Sequence, residues 1–151
     1  MAISKMMNSL YDLMKEGKYE KFKKNLEDYM RNILSYHDLG FEDSEHVYKA
    51  FSLGMLSIAI NGFEVENEME SGYGRLDVAV YPKEERYGKY AAVFEVKKAD
   101  SEEKLEEAAK QSLKQIKEKE YRSKLEFKGY NVIGFGIAFC GKQVETAVEI
   151  L

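Results

Sequence analysis

A chain of 151 residues suits one domain, and a domain of that size buries roughly 68–70% of its unfolded surface. The longest apolar stretch, residues 132–140, falls far short of a membrane span, residues 1–5 lead into an amphipathic helix rather than a signal peptide, and the single cysteine, Cys140, excludes an internal disulfide, so a cytoplasmic location is expected. The net charge of −4 excludes nucleic-acid binding by bulk positive charge alone.

In chain order, residues 4–16 and 18–36 predict two amphipathic helices divided at Gly17. Met6, Leu10, Leu13 and Met14 form the apolar face of the first, and Phe22, Leu26, Tyr29, Met30, Ile33 and Leu34 that of the second. Such a methionine-rich face suits the core or a docking surface, and could supply a homodimer contact. A third helix is predicted over 44–60, capped by Asp43 or Ser44 and stopped by Asn61-Gly62. Strands follow at 63–70, 73–81 and 90–97, then a long helix over 101–122, then strands at 131–139 and 143–150. Asp100 and Glu103 predict a variant capping box for the long helix, whose apolar stripe is Leu105, Ala108, Ala109, Ser112, Leu113 and Ile116. The order implies an α/β domain with a mixed central sheet flanked by helices. Residues 1–40 read as an N-terminal helical extension packed on a domain spanning 41–151.

The chemistry concentrates on two of these strands. Alternation puts Arg75 and Asp77 on one face of their strand, and Glu95 and Lys97 on one face of the next, while Phe94 and Val96 point to the core. If the polar faces match, two carboxylates and a lysine converge. Paired carboxylates suit a hard divalent ion such as Mg²⁺, and a lysine beside them suits charge developing on a phosphoryl group. Phosphodiester hydrolysis is the reaction class this set fits.

Asp77 followed by Glu95-Val96-Lys97 resembles the PD-(D/E)XK nuclease superfamily, with Leu76-Asp77 in place of Pro-Asp. The run 67–77, containing Gly72-Tyr73-Gly74-Arg75, resembles more closely the nuclease-like domain at the C-terminal end of prokaryotic AAA-ATPase-like proteins. The likeness continues through Gln115-Ile116 to Tyr121 and through residues 136–139, covering about residues 40 to 151. It implies a restriction-endonuclease-like αβββαβ core and Mg²⁺ or Mn²⁺ held by Asp77 and Glu95, with the Val96 backbone carbonyl as a further ligand. It also implies a nucleic-acid substrate, DNA first, and an ATPase domain earlier in a longer protein.

Two further residues enter with it. Glu45 is read either as a third ligand or as a helix-start carboxylate favoured by the helix dipole; Lys49 departs from the histidine expected one turn later. Gln115 is read either as an amide reaching the site or as a boundary residue, with Gln111 as the fallback. Lys110, Lys114, Lys117 and Lys124 share the outward face with Glu103, Glu106 and Glu107, which favours a solvated face with ordinary ion pairs. The alternative to an active nuclease is a catalytically silent nuclease-fold module that binds nucleic acid or protein.

Overall fold

The computed structural model describes residues 2–36, 44–59, 62–69 and 75–151. Asp43, Asn61 and the 72–74 lead-in lie outside the described residues. Helices α1 (Ala2–Glu16), α2 (Glu20–Tyr36) and α3 (Ser44–Ala59) precede strands β1 (Phe63–Met69), β2 (Leu76–Pro82) and β3 (Tyr90–Lys98). A 3₁₀ turn at Glu102–Lys104, α4 (Leu105–Glu118) and α5 (Glu120–Phe127) then lead to β4 (Asn131–Cys140) and β5 (Gln143–Ile150).

The strands lie in the order β1-β2-β3-β4-β5. β3 and β4 run parallel, and every other neighbouring pair is antiparallel. A parallel pair needs a long crossover, which α4 and α5 provide. The mixed sheet between helical layers is the restriction-endonuclease-like α/β arrangement expected from the sequence.

Alternation along each strand divides the core into two. Leu76, Val78, Val80, Phe94, Val96, Phe135 and Ile137 face α1, α2 and α3 in the larger cluster. Ala79, Tyr81, Ala91, Val93 and Val132 face the opposite way, against Ile116 of α4 and Leu125 of α5. The predicted stripes on α1 and α2 are buried throughout, and Phe22 meets Phe135 edge-on at 5.4 Å. The N-terminal helices therefore share one hydrophobic core with the sheet. Gly17 ends α1 with φ +72°, its N–H donating to Leu13 O at 2.9 Å, the left-handed cap that glycine adopts without strain.

The long helix departs from expectation at both ends. Its start is a 3₁₀ turn, and neither Ser101 nor Lys104 caps through its side chain, so the predicted capping box does not form. Helical geometry also stops at Lys119, whose backbone is extended (φ −90°, ψ 154°), and resumes in α5. Restarting at Glu120 lets α5 bury Leu125 beside Ile116 and Tyr130, which a straight continuation to Arg122 was not expected to do.

α4 lies unusually close to the sheet. β4 carries Gly134 and Gly136 on that face, and a Cβ on Gly136 would fall 2.2 Å from Ala109 O and 2.5 Å from Leu113 N. Glycine in a strand interior marks such a close backbone approach. Gly136 is also the register partner of Glu95, so the helix is seated beside the charged residues.

Candidate metal centre

Asp77 and Glu95 are direct register partners on β2 and β3. Directly opposed residues of an antiparallel pair share a face with Cβ atoms about 5 Å apart. The matching of polar faces anticipated from the sequence is thus present. The two carboxylates point to the α4 side, with Asp77 6% exposed and Glu95 fully buried. Asp77 Oδ1 and Glu95 Oε2 are buried and accept no hydrogen bond.

The other two oxygens are held by a residue the sequence reading left without a role. Lys119 Nζ donates to Asp77 Oδ2 at 2.5 Å and to Glu95 Oε1 at 3.0 Å. Arg75, expected on the Asp77 face, brings its Nε to 3.8 Å from Glu95 Oε1. A signal for Lys119 was present: Ala108, Ser112, Gln115 and Lys119 recur at helical spacing along the rim of the apolar stripe. A second residue without an assigned role is Glu68, which β1 places opposite Asp77 and exposed. Glu68, Asp77 and Glu95 therefore cross the sheet in a row, although no group of three or more ligating side chains converges on one point among the described residues.

Burial perturbs the pair. Loss of solvent is the main force raising the Glu95 carboxyl to about 7; Lys119 opposes it and the neighbouring Asp77 charge adds to it. Burial pulls the Lys119 ammonium down, but its bonds to Asp77 and Glu95 outweigh that and leave it above its usual value. Two acids and one base in a dry crevice thus keep a proton and an ammonium available.

The remaining expected residues fall around this pair. Lys97 lies two residues beyond Glu95 on the same face, half-buried, in the wall of a cavity of about 230 Å³ shared with Lys104 and Gln111. Gln115 stands one turn before Lys119 with a buried Oε1 that accepts no hydrogen bond. Both glutamines of α4 therefore border the charged region, Gln111 at the Lys97 cavity and Gln115 on the Lys119 row. The Val96 side chain points into the opposite core, so only its backbone carbonyl is on offer. Glu45 sits in the first turn of α3 with its carboxylate 3.1 Å from Lys49 Nζ. α3 covers the other face of the sheet, where Tyr48 meets Phe139, the register partner of Lys98, edge-on at 6.0 Å, which brings α3 to the end of β3 where Lys97 lies. On the outer face of α4, Glu106 and Lys110 form the ordinary i,i+4 pair at 3.1 Å.

The donor set suits a hard divalent cation: two opposed carboxylates, each with one unpartnered buried oxygen and one held by an ammonium that supplies the missing positive charge. A carboxylate pair on adjacent strands, the second carboxylate opening a Glu-x-Lys, mounted on a mixed sheet between helices, defines a restriction-endonuclease-like α/β domain. The family model of the PD-(D/E)XK nuclease superfamily matches residues 43–149, and the chain belongs to that superfamily as a nuclease-like domain. Its members are generally phosphodiesterase nucleases that use Mg²⁺ or Mn²⁺. No curated protein matches the chain. No helix among the described residues is long and apolar enough to cross a membrane.

Proposed function

We propose that the chain is a divalent-metal-dependent nuclease domain that hydrolyses phosphodiester bonds, with DNA as its substrate. The observation that carries the reading is the register pairing of Asp77 with Glu95, with an unpartnered buried oxygen on each. Asp77 and Glu95 would hold Mg²⁺ or Mn²⁺ together with the Val96 carbonyl, and Glu45 would reach the ion from the end of β3. The bound ion supplies Lewis acidity and positive charge at the scissile phosphate.

The chain's own residues do the rest. Lys97 offers an ammonium on the same face to orient the attacking water or to stabilise charge on the pentavalent phosphate. Gln115, half-buried with an unpartnered amide oxygen, would position whatever occupies the site through its amide. α4 closes one side of the pair and excludes bulk water, which strengthens each of these interactions. With net charge −4, affinity of the chain alone for nucleic acid is expected to be low. A preceding AAA-type ATPase domain, or a second copy of the chain, would supply the missing grip on substrate.

The test is cleavage of labelled single-stranded, duplex and branched DNA and of RNA, in Mg²⁺ or Mn²⁺ against EDTA, with Asp77→Ala as control. Metal-dependent cleavage that the substitution abolishes is expected; equal products from both proteins would refute the assignment. A second reading is favoured by one observation: Lys119 already bonds both carboxylates without a metal. In that reading the fold is a silent binding module, and neither protein binds Mn²⁺.

A further inference from the structure

The positive charge at the carboxylate pair comes from the chain itself. Lys119 Nζ takes one oxygen from each strand, Asp77 Oδ2 and Glu95 Oε1. Those are the two groups a divalent ion would bridge if, as proposed above, Asp77 and Glu95 are metal ligands. We propose that Lys119 is a built-in substitute for the ion: it holds the unloaded pair together, and its ammonium must withdraw before metal binds, so that Lys119 sets the metal affinity of the site. The inference rests on the metal-ligand reading of Asp77 and Glu95.

Charge and space both point this way. Two carboxylates are balanced by the Lys119 ammonium and by Arg75, which lies 3.8 Å from Glu95 Oε1. A divalent cation added to that group would leave it with a net charge of +2 in a dry crevice, whereas one replacing Lys119 leaves only +1, so withdrawal of the ammonium halves the excess charge. Each carboxylate offers an ion one unpartnered oxygen beside the one that Lys119 holds, so a cation seated on the pair lies against the ammonium and is repelled by it.

The backbone is built for the exchange. Lys119 is the single non-helical residue between α4 and α5. Its main chain is anchored by the N–H donating to Ile116 O at 3.3 Å, while its side chain remains 25% exposed. A four-carbon stem with an open side can carry the ammonium to solvent by rotamer changes, without unwinding either helix. Neither Lys97 nor Arg75 is placed this way, since neither bonds both carboxylates.

The experiment is a Mn²⁺ titration by calorimetry on the whole chain, comparing the wild type with Lys119→Met, Lys119→Arg and Asp77→Ala. Lys119→Met is expected to bind Mn²⁺ at least tenfold more tightly than the wild type, Lys119→Arg no more tightly, and Asp77→Ala not at all. Thermal unfolding adds a readout independent of cleavage: Lys119→Met should melt lower in EDTA and gain more in melting temperature from Mn²⁺ than the wild type does. Should Lys119→Met fold poorly, Lys119→Gln keeps a hydrogen-bond donor without the charge and is expected to shift affinity in the same direction. Equal or weaker Mn²⁺ binding by the neutral variants, with Asp77→Ala still silent, overturns the substitute role and leaves the metal site standing. Absence of binding by the wild type and every variant removes the metal site and the inference with it.

Discussion

Gly136→Ala should loosen the seat of α4 on the sheet, and the structure gives the size of the effect. The added Cβ would lie 2.2 Å from Ala109 O and 2.5 Å from Leu113 N, where ordinary contact begins near 3.4 Å. Both atoms belong to the helix backbone, so no side chain can turn away, and α4 must lift by about 1 Å at that point. Overpacking of this kind costs ~1–3 kcal/mol. The upper half of that range applies because a whole helix is displaced, and the conformational gain of alanine over glycine in a strand offsets only about 0.5–1 kcal/mol. The net loss is about 2 kcal/mol, a fall in melting temperature of roughly 4–8 °C for a chain of this size. Gly134→Ala is the control: its Cβ would meet only side-chain ends, Leu113 Cδ1 at 2.9 Å and Leu151 Cδ1 at 3.3 Å, which can rotate aside. Thermal unfolding of both variants in EDTA, followed by circular dichroism, decides the matter. If Gly136→Ala melts at or above Gly134→Ala, α4 is not seated on the β4 glycines as described.

Two other outcomes follow from the charged pair. Because burial raises the Glu95 carboxyl from 4.5 to about 7, the native state keeps a proton there that the unfolded chain has already lost, and this group lowers stability as pH rises through that window. The slope is at most about 1.4 kcal/mol per pH unit, a few kcal/mol in all. Urea unfolding in EDTA from pH 4.5 to pH 7.5 should therefore show the stability of Glu95→Gln gaining steadily on the wild type; parallel curves would contradict the burial argument. Lys97→Ala should cut cleavage by about 10²-fold or more, the usual cost of losing a group that stabilises developing charge. It should leave both the melting temperature and Mn²⁺ affinity nearly unchanged, because Lys97 bonds neither carboxylate; a matching loss of Mn²⁺ binding would move Lys97 from catalysis to metal retention.

What the sequence made legible follows the range of the forces involved. The shared face of Asp77 and Glu95 could be anticipated because each strand carries its own in-out alternation, and burying both apolar faces against α1, α2 and α3 turns both polar faces the same way; their direct opposition is set by strand register, which alternation leaves open. The stripe on α4 was readable for the same reason, and all six of its predicted residues are buried. Glu68 escaped notice because its position opposite Asp77 depends on how β1 pairs with β2, and no residue in β1 announces that register. The capping box failed since the α4 N-terminus is preceded by a 3₁₀ turn that satisfies backbone groups locally, the Lys104 N–H donating to Ser101 O at 3.1 Å.

The helix break at Lys119 was the least readable feature and matters most to the site. Residues 117–120, Lys-Glu-Lys-Glu, are good helix formers, and nothing local stops them. The break belongs to tertiary structure: α5 turns to bury Leu125 against Ile116 and Tyr130, and the residue at the bend is left with an extended backbone and a side chain aimed at the sheet. A lysine in a run of alternating charge reads as one more solvated cation, and for Lys117, which pairs with Glu149 at 2.6 Å near the surface, that reading holds. Two residues later the same side chain type is drawn into the crevice, because two opposed carboxylates with little water around them need a cation more than the ammonium needs solvent. The pairing that predicts a metal from the sequence is thus also what draws Lys119 into the crevice.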